Sequence, residues 1–168
     1  MAMAEEFGLP LWKVVGVLAA ISPGNEYGRN VEETRDFIDA YTHGKELPVV
    51  GVYGKMNMEK ARRILEGALP LEVFPVKTSP KVRAFFACIL FPYDCLEVCV
   101  DRHAKAVACN LPSERTGAAS DDKKSVVRPG EYGELAKAYR AVAGTLGLLP
   151  HQLQAVCWVA WKDKDELQ

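Results

Sequence analysis

Hydrophobic residues recur along most of the chain with the spacing of amphipathic or buried helices. The nearly all-apolar run from Pro10 to Ile21, PLWKVVGVLAAI, predicts a buried helix with its proline in the first turn. The turn residues SPGNEYG end this run. Asn30 is then expected to cap a second helix, VEETRDFIDAYTHG, which stops at Gly44.

Two further helices are predicted in the middle of the chain. Asn57 is expected to cap MEKARRILEGAL, with apolar residues such as Leu69 facing inward and most of the basic residues facing outward. Ser79 is a favourable N-cap residue, and Pro80 fits the first helical position. The pattern therefore predicts a central apolar helix from Pro80 to about Phe91.

The last third of the chain predicts three more helices. Asp101 begins RHAKAVACN, which ends near Asn110, a second helix covers Glu131 to Leu146, and Pro150 opens HQLQAVCWVAWK. Residues 111–130 are polar and rich in turn formers, which predicts a surface loop, and residues 163–168 predict a solvated tail.

Seven helices with little strand and no internal repeat predict an all-α fold, a compact helical bundle. A length of 168 residues with 49% hydrophobic content suits a single domain over residues 1–168.

Charge and cysteine content narrow the class of protein. The formal net charge is −1, which argues against a strongly basic, non-specific polyanion binder. Residues 51–110 carry nine basic and six acidic side chains, so this third is the favoured face for an anionic partner. Five cysteines without a CxxC motif predict reduced thiols of a cytoplasmic protein, with no metal site and no cofactor. No apolar run is long enough to span a membrane.

Asp101, in the stretch VCVDRHAKAV, is the first candidate for chemistry. An aspartate that follows an apolar run and opens a helix is most simply an N-cap. The same position can hold a reactive carboxylate, and these residues alone leave both interpretations open.

Four segments in order carry a resemblance to a known family. They are LAAISPGNEYGRN, NMEKARRI, FPVKTSPKVRAFFACIL and VDRHAKAV. They resemble the LLSxQxxxxxxN, NSKAxxI, LPGVGxKTAxxVL and VDTHVxRV segments of the helix-hairpin-helix DNA glycosylase superfamily, whose best-known member is endonuclease III. The resemblance covers about residues 12–110, and it implies that superfamily's all-α fold.

The resemblance also implies roles for individual residues. Asp101 stands at the position of the family's catalytic aspartate, and Lys81 at that of the lysine that forms a Schiff base with the sugar in bifunctional members. Asn25, with Arg29 close by, stands where the family fills the gap left by an extruded base. The hairpin glycines are replaced by KTSP, so side chains become the expected phosphate contacts. Arg83 and His103, which lie close in sequence to Lys81 and Asp101, are also expected to contact DNA. The full set of further expected DNA contacts is Lys77, Thr78, Ser79, Arg83 and His103.

This chemistry has a physical basis. Cleavage of an N-glycosidic bond develops positive charge on the sugar, which a nearby carboxylate stabilises. An amine in the first turn of a helix is disfavoured in its charged form by the helix dipole, which favours nucleophilic attack by Lys81. The target base would have to be flipped out of a DNA duplex.

Simpler interpretations and other functions stay open beside this one. In the simpler interpretation, His103 makes a supporting hydrogen bond, and Trp158 and Trp161 belong to the core. The basic residues then form a solvated face, made of Arg62, Arg63, Arg83 and Lys105. The leading hypothesis is a DNA glycosylase-like enzyme, possessing AP-lyase activity if Lys81 reacts. The alternatives are a DNA base-modification enzyme on the same scaffold and a non-catalytic DNA-binding or protein-binding helical module.

Overall fold

The computed structural model describes residues 2–111, 126–128 and 130–163, and the side chains among them up to residue 161. These residues form nine α-helices and no β-strand: α1 Ala2–Glu6, α2 Leu11–Ile21, α3 Tyr27–Thr42, α4 Lys55–Leu65, α5 Pro70–Val73, α6 Pro80–Leu90, α7 Arg102–Ala108, α8 Glu131–Leu146 and α9 Pro150–Asp163. The all-α class is therefore confirmed. The expected surface loop at 111–130 and the tail at 163–168 lie largely outside the described residues.

Two short helices were not predicted. Helix α1 has five residues and α5 has four, so neither is long enough to show a helical hydrophobic period. The predicted bounds of α6 and α8 agree closely with the structure, and Gly147, which follows α8, has the left-handed conformation. No described helix has the length and apolar character needed to cross a membrane.

The chain divides into two compact units, Met1–Leu90 and Phe91–Gln168. They are called here the N-terminal unit and the C-terminal unit. The single domain expected from the chain length stays a prediction.

Helix α2 is the centre of the N-terminal unit and packs against α3, α4 and α6. Val17 and Ile21 on α2 are completely buried. Gly16 allows α4 and α5 to approach closely, because a Cβ at this position would lie 3.0 Å from Ile64 Cγ2 and 3.1 Å from Pro70 Cγ. The predicted buried first helix is thus confirmed as the core of this unit.

The prediction that Asn30 and Asn57 cap helices is wrong. Helix α3 begins earlier, with Glu26 as its N-cap, and α4 begins after Gly54. Both asparagines lie inside their helices and are 1% exposed. Asn30 Nδ2 donates to Leu18 O at 3.1 Å, and Asn57 Nδ2 donates to Ile21 O at 3.4 Å.

The physical reason lies at the C-terminal end of α2. The last carbonyls of a helix have no partner within it and need donors when they are buried. Two side-chain amides from neighbouring helices supply donors here, which a local capping pattern does not reveal. Leu69, which was expected to face inward, is 54% exposed because α4 ends at Leu65.

The C-terminal unit has its own core. Helices α7 and α8 both pack against α9. Tyr139 on α8 is 6% exposed and its hydroxyl donates to Ala104 O at 2.9 Å, and burial raises the pKa of Tyr139 to about 12. The remaining buried residues of this core are Val98, Val100, Ala104, Ala136, Ala143 and Leu153.

Thr34 on α3 gives a test of the N-terminal core. It is completely buried, and its hydroxyl has no hydrogen-bond partner within the described residues. Thr34→Val removes a desolvated hydroxyl and keeps the shape, so it should raise the free energy of unfolding by about 1 kcal/mol in urea denaturation. Thr42→Val on the same helix is the control, since the Thr42 hydroxyl donates to Ile38 O at 2.9 Å and its loss should not stabilise. A destabilised Thr34→Val variant would contradict the packing described for this residue.

Candidate functional site

Asp101 is held at the start of α7 in the C-terminal unit. Its backbone is extended, with φ −109° and ψ −172°, and its Oδ1 accepts a hydrogen bond from Ala104 N–H at 2.8 Å. Among the described residues, the Ala104 N–H is the hydrogen-bond donor to the Asp101 carboxylate. The Asp101 side chain is partly exposed. The predicted N-cap role is confirmed, and the second carboxylate oxygen keeps its lone pairs for another partner.

A stripe of side chains on α9 runs beside the segment that contains Asp101. Gln154 Nε2 donates to Cys99 O at 2.8 Å. The His103 ring meets the Trp158 and Trp161 rings edge to face, with centroid distances of 6.4 Å and 6.5 Å. Since Trp158 is 39% exposed, its assignment to the core was wrong. The spacing of residues 154, 158 and 161 on one helix face was visible in the sequence, but the partner of that face was not.

Lys105 departs from the predicted solvated basic face. It is 8% exposed, and its Nζ donates to Glu131 Oε2 at 2.7 Å and to Val126 O at 2.8 Å. A buried ammonium group requires such partners because its desolvation is costly. The hydrogen bond from Lys105, together with one from the Arg128 N–H, lowers the pKa of the Glu131 carboxyl below 4.5. Lys105 therefore has a structural role.

Two other basic residues of that expected face have different partners. Arg62 forms ion pairs with Glu59, at 3.0 Å, and with Glu66 on the exposed side of α4. Arg83 Nη1 donates to Leu71 O at 3.3 Å.

Lys81 lies in the first turn of α6, in the N-terminal unit, and is exposed. In the turn before it, the N–H groups of Thr78 and Ser79 both donate to Pro75 O, at 3.1 Å and 2.8 Å. Pro80 has no N–H to offer. The side chains of Lys77 and Thr78 at this turn are exposed.

Glu33, which the sequence did not indicate, joins two of the expected DNA contacts. Its Oε2 accepts hydrogen bonds from Asn25 Nδ2 and from Gly51 N–H, each at 2.8 Å, and its Oε1 accepts from Arg29 Nε at 2.7 Å. Its side chain is 16% exposed. Partial burial raises the pKa of Glu33, but the hydrogen bonds from Gly51, Arg29 and Asn25 outweigh it and hold the pKa below 4.5.

The expected site residues thus fall into separate groups. Asn25 and Arg29 meet at Glu33 in the N-terminal unit, where the turn at residues 77–79 and Lys81 also belong. Asp101 and His103 belong to the C-terminal unit. All five cysteines are free thiols, and no described group of three His, Cys, Asp or Glu side chains could hold a metal ion.

Comparison with known protein families identifies the family of the chain. Residues 1–165 match the model of a family of unknown function (DUF7178), and the chain belongs to that family. No curated protein and no solved structure matches the chain.

The lowered pKa of Glu33 gives a pH-dependent prediction. A carboxyl whose pKa is lower in the folded state stabilises the fold fully above its ordinary pKa of 4.5, and this contribution is lost as the pH falls through the folded value. Glu33→Gln should therefore lower the free energy of unfolding by about 1–2 kcal/mol at pH 7. The difference between wild type and variant should shrink below about pH 4.

Urea denaturation at several pH values measures this difference. Glu32→Gln, at the adjacent exposed position, serves as the matched control. A constant difference for Glu33→Gln down to pH 3, or an equal effect of Glu32→Gln, would argue against the role of Glu33.

Proposed function

We propose that the protein is a DNA glycosylase-like enzyme that acts on a base flipped out of duplex DNA, with AP-lyase activity when Lys81 reacts. The observation that carries the proposal is the carboxylate of Asp101. One oxygen is fixed by the Ala104 N–H at 2.8 Å, so the other is held in one direction on a partly exposed side chain. A carboxylate fixed in this way is suited to stabilise positive charge on a sugar.

The order of the four segments supports the same proposal. VDRHAKAV places Asp101 where the helix-hairpin-helix DNA glycosylases keep their catalytic aspartate, and KTSPK places Lys81 where bifunctional members keep their reactive lysine. The helix at Pro80–Leu90 has Lys81 in its first turn. Free cysteines fit a reducing compartment such as the cytoplasm.

In the proposed reaction, Asp101 stabilises the developing cation at C1′ as the bond to the base breaks. By resemblance to the bifunctional members, the amine of Lys81 is assigned attack on C1′. The bond from C1′ to the base breaks and the base leaves with one amine proton; the C1′–O4′ bond then opens, O4′ takes the second proton, and an imine joins Lys81 to C1′. His103, two residues after Asp101 and edge to face with two tryptophan rings, is assigned contact with the extruded nucleotide. Lys77, Thr78, Ser79 and Arg83 are assigned to the DNA backbone.

Asp101→Asn separates catalysis from folding. Asparagine caps a helix about as well as aspartate, so the free energy of unfolding should change by no more than about 0.5 kcal/mol. Loss of the negative charge should reduce base release at least about a hundredfold. Base release is measured by chromatography on a panel of duplexes that carry damaged or modified bases. Unchanged release by a folded Asp101→Asn variant would exclude catalysis by this carboxylate.

Lys81 is tested by borohydride trapping on a duplex with an abasic site. Wild type should form a covalent complex with the DNA, and Lys81→Arg should form none, because a guanidinium cannot form the imine. Lys55→Arg, which is also exposed and lies in the first turn of α4, is the matched control and should still be trapped.

Two outcomes would favour the other functions. DNA binding without base release and without trapping would favour a non-catalytic module. Turnover of the flipped base without cleavage of its bond to the sugar would favour a base-modification enzyme.

A further inference from the structure

We infer that Glu33 is a positioning residue that presents Asn25, Arg29 and the Gly51–Gly54 loop as one surface for a short contact with DNA. The inference rests on the DNA binding of the proposed function and adds a residue and a surface to it. Glu33 is one carboxylate with three donors, from the turn before α3, from α3 itself and from the loop before α4.

Arg29 is held in a way that leaves its phosphate-binding groups available. Glu33 engages Nε alone, at 2.7 Å, and the Arg29 side chain is 65% exposed. The two terminal NH₂ groups have no hydrogen-bond partner within the described residues. A guanidinium fixed at Nε loses less conformational entropy when the terminal groups bind a phosphate.

The loop from Gly51 to Gly54 is anchored at its first residue. Gly51 has φ +68° and donates its N–H to Glu33, and a Cβ at this position would lie 2.2 Å from Asn57 Nδ2. Gly54 also has a positive φ, of +46°. The two residues between these glycines, Val52 and Tyr53, are 60% and 56% exposed, so an apolar residue and an aromatic ring form the tip of a loop with a fixed base.

The chemistry of this surface fits nucleic acid with an unstacked position. Tyr53 offers a ring on which a base can stack, Arg29 offers donors to a phosphate, and the Asn25 amide oxygen is an acceptor for a base edge. The exposed carboxylates of Glu26 and Glu32 on or next to the same helix would repel a long run of phosphates. The surface therefore suits contact with one or two phosphates at a distorted site.

The test measures the affinity of the full chain for a labelled duplex with one tetrahydrofuran abasic analogue, by fluorescence anisotropy at several salt concentrations. Glu33→Ala should weaken binding about tenfold, because Arg29 and the loop lose their shared anchor. Arg29→Ala should weaken binding and reduce the salt slope by about 1, as expected for one lost phosphate contact. In the Arg29→Ala background, Glu33→Ala should cost clearly less than tenfold.

Two further variants test the surface itself. Tyr53→Ala should weaken binding about tenfold, and Tyr53→Phe should restore it, since stacking requires only the ring. Tyr93→Ala removes an 85% exposed tyrosine of the C-terminal unit and is the matched control that should leave affinity unchanged. The melting temperature of each variant is measured in parallel, so that loss of folded protein is separated from loss of affinity.

Four results would overturn the inference. Unchanged affinity of folded Glu33→Ala would give Glu33 a role in stability alone. Tighter binding would show that its charge only repels DNA, and fully additive effects with Arg29→Ala would show that it does not act through Arg29. If wild type does not bind DNA, this inference and the proposed function are both wrong. If it binds DNA without releasing a base, only the proposed glycosylase activity is wrong.

Discussion

The buried C-terminal end of helix α2 is the constraint on which the N-terminal unit depends. The last carbonyls of a helix have no partner within it, and a buried end must obtain donors from elsewhere. Ser22 N–H and Asn30 Nδ2 both donate to Leu18 O, Ser22 Oγ donates to Ala19 O, and Asn57 Nδ2 donates to Ile21 O. Since these donors come from the following turn, from α3 and from α4, one helix end sets the position of three other segments.

The same end of α2 explains why Asn25 and Arg29 lie together. The amide of Asn57 and the carbonyl of Ile21 leave no space for a side chain at Gly51. Gly51 in turn donates to Glu33, which also holds Asn25 and Arg29. The buried contact between Asn57 and Ile21 is thus linked, through Gly51 and Glu33, to the surface that we assign to DNA.

In the C-terminal unit, the start of α7 has a comparable role. Asp101 accepts from the N–H of Ala104, and the carbonyl of the same residue accepts from Tyr139. Lys105 is paired with Glu131 on α8. These contacts fix the direction of the Asp101 carboxylate, and an N-cap role and a catalytic role are compatible because they use different oxygens of the same group.

The sequence by itself determined the helical class, the bounds of α6 and α8, and the cap at Asp101. These features depend on contacts within a few residues, such as a proline at the first helical position, a glycine after the last turn and an aspartate before a helix. The sequence also indicated Asn25 and Arg29 as expected DNA contacts, through the resemblance of LAAISPGNEYGRN.

Only the tertiary structure decided the partners of polar groups that are distant in sequence. Asn30 and Asn57 have the residue type of helix caps, yet they serve a helix end 12 and 36 residues away. Lys105 has the pattern of a solvated lysine, yet α8 supplies a carboxylate that allows its burial. The physical reason is that a buried polar group is stable wherever the fold provides its hydrogen-bond partner, and that partner is set by packing between helices.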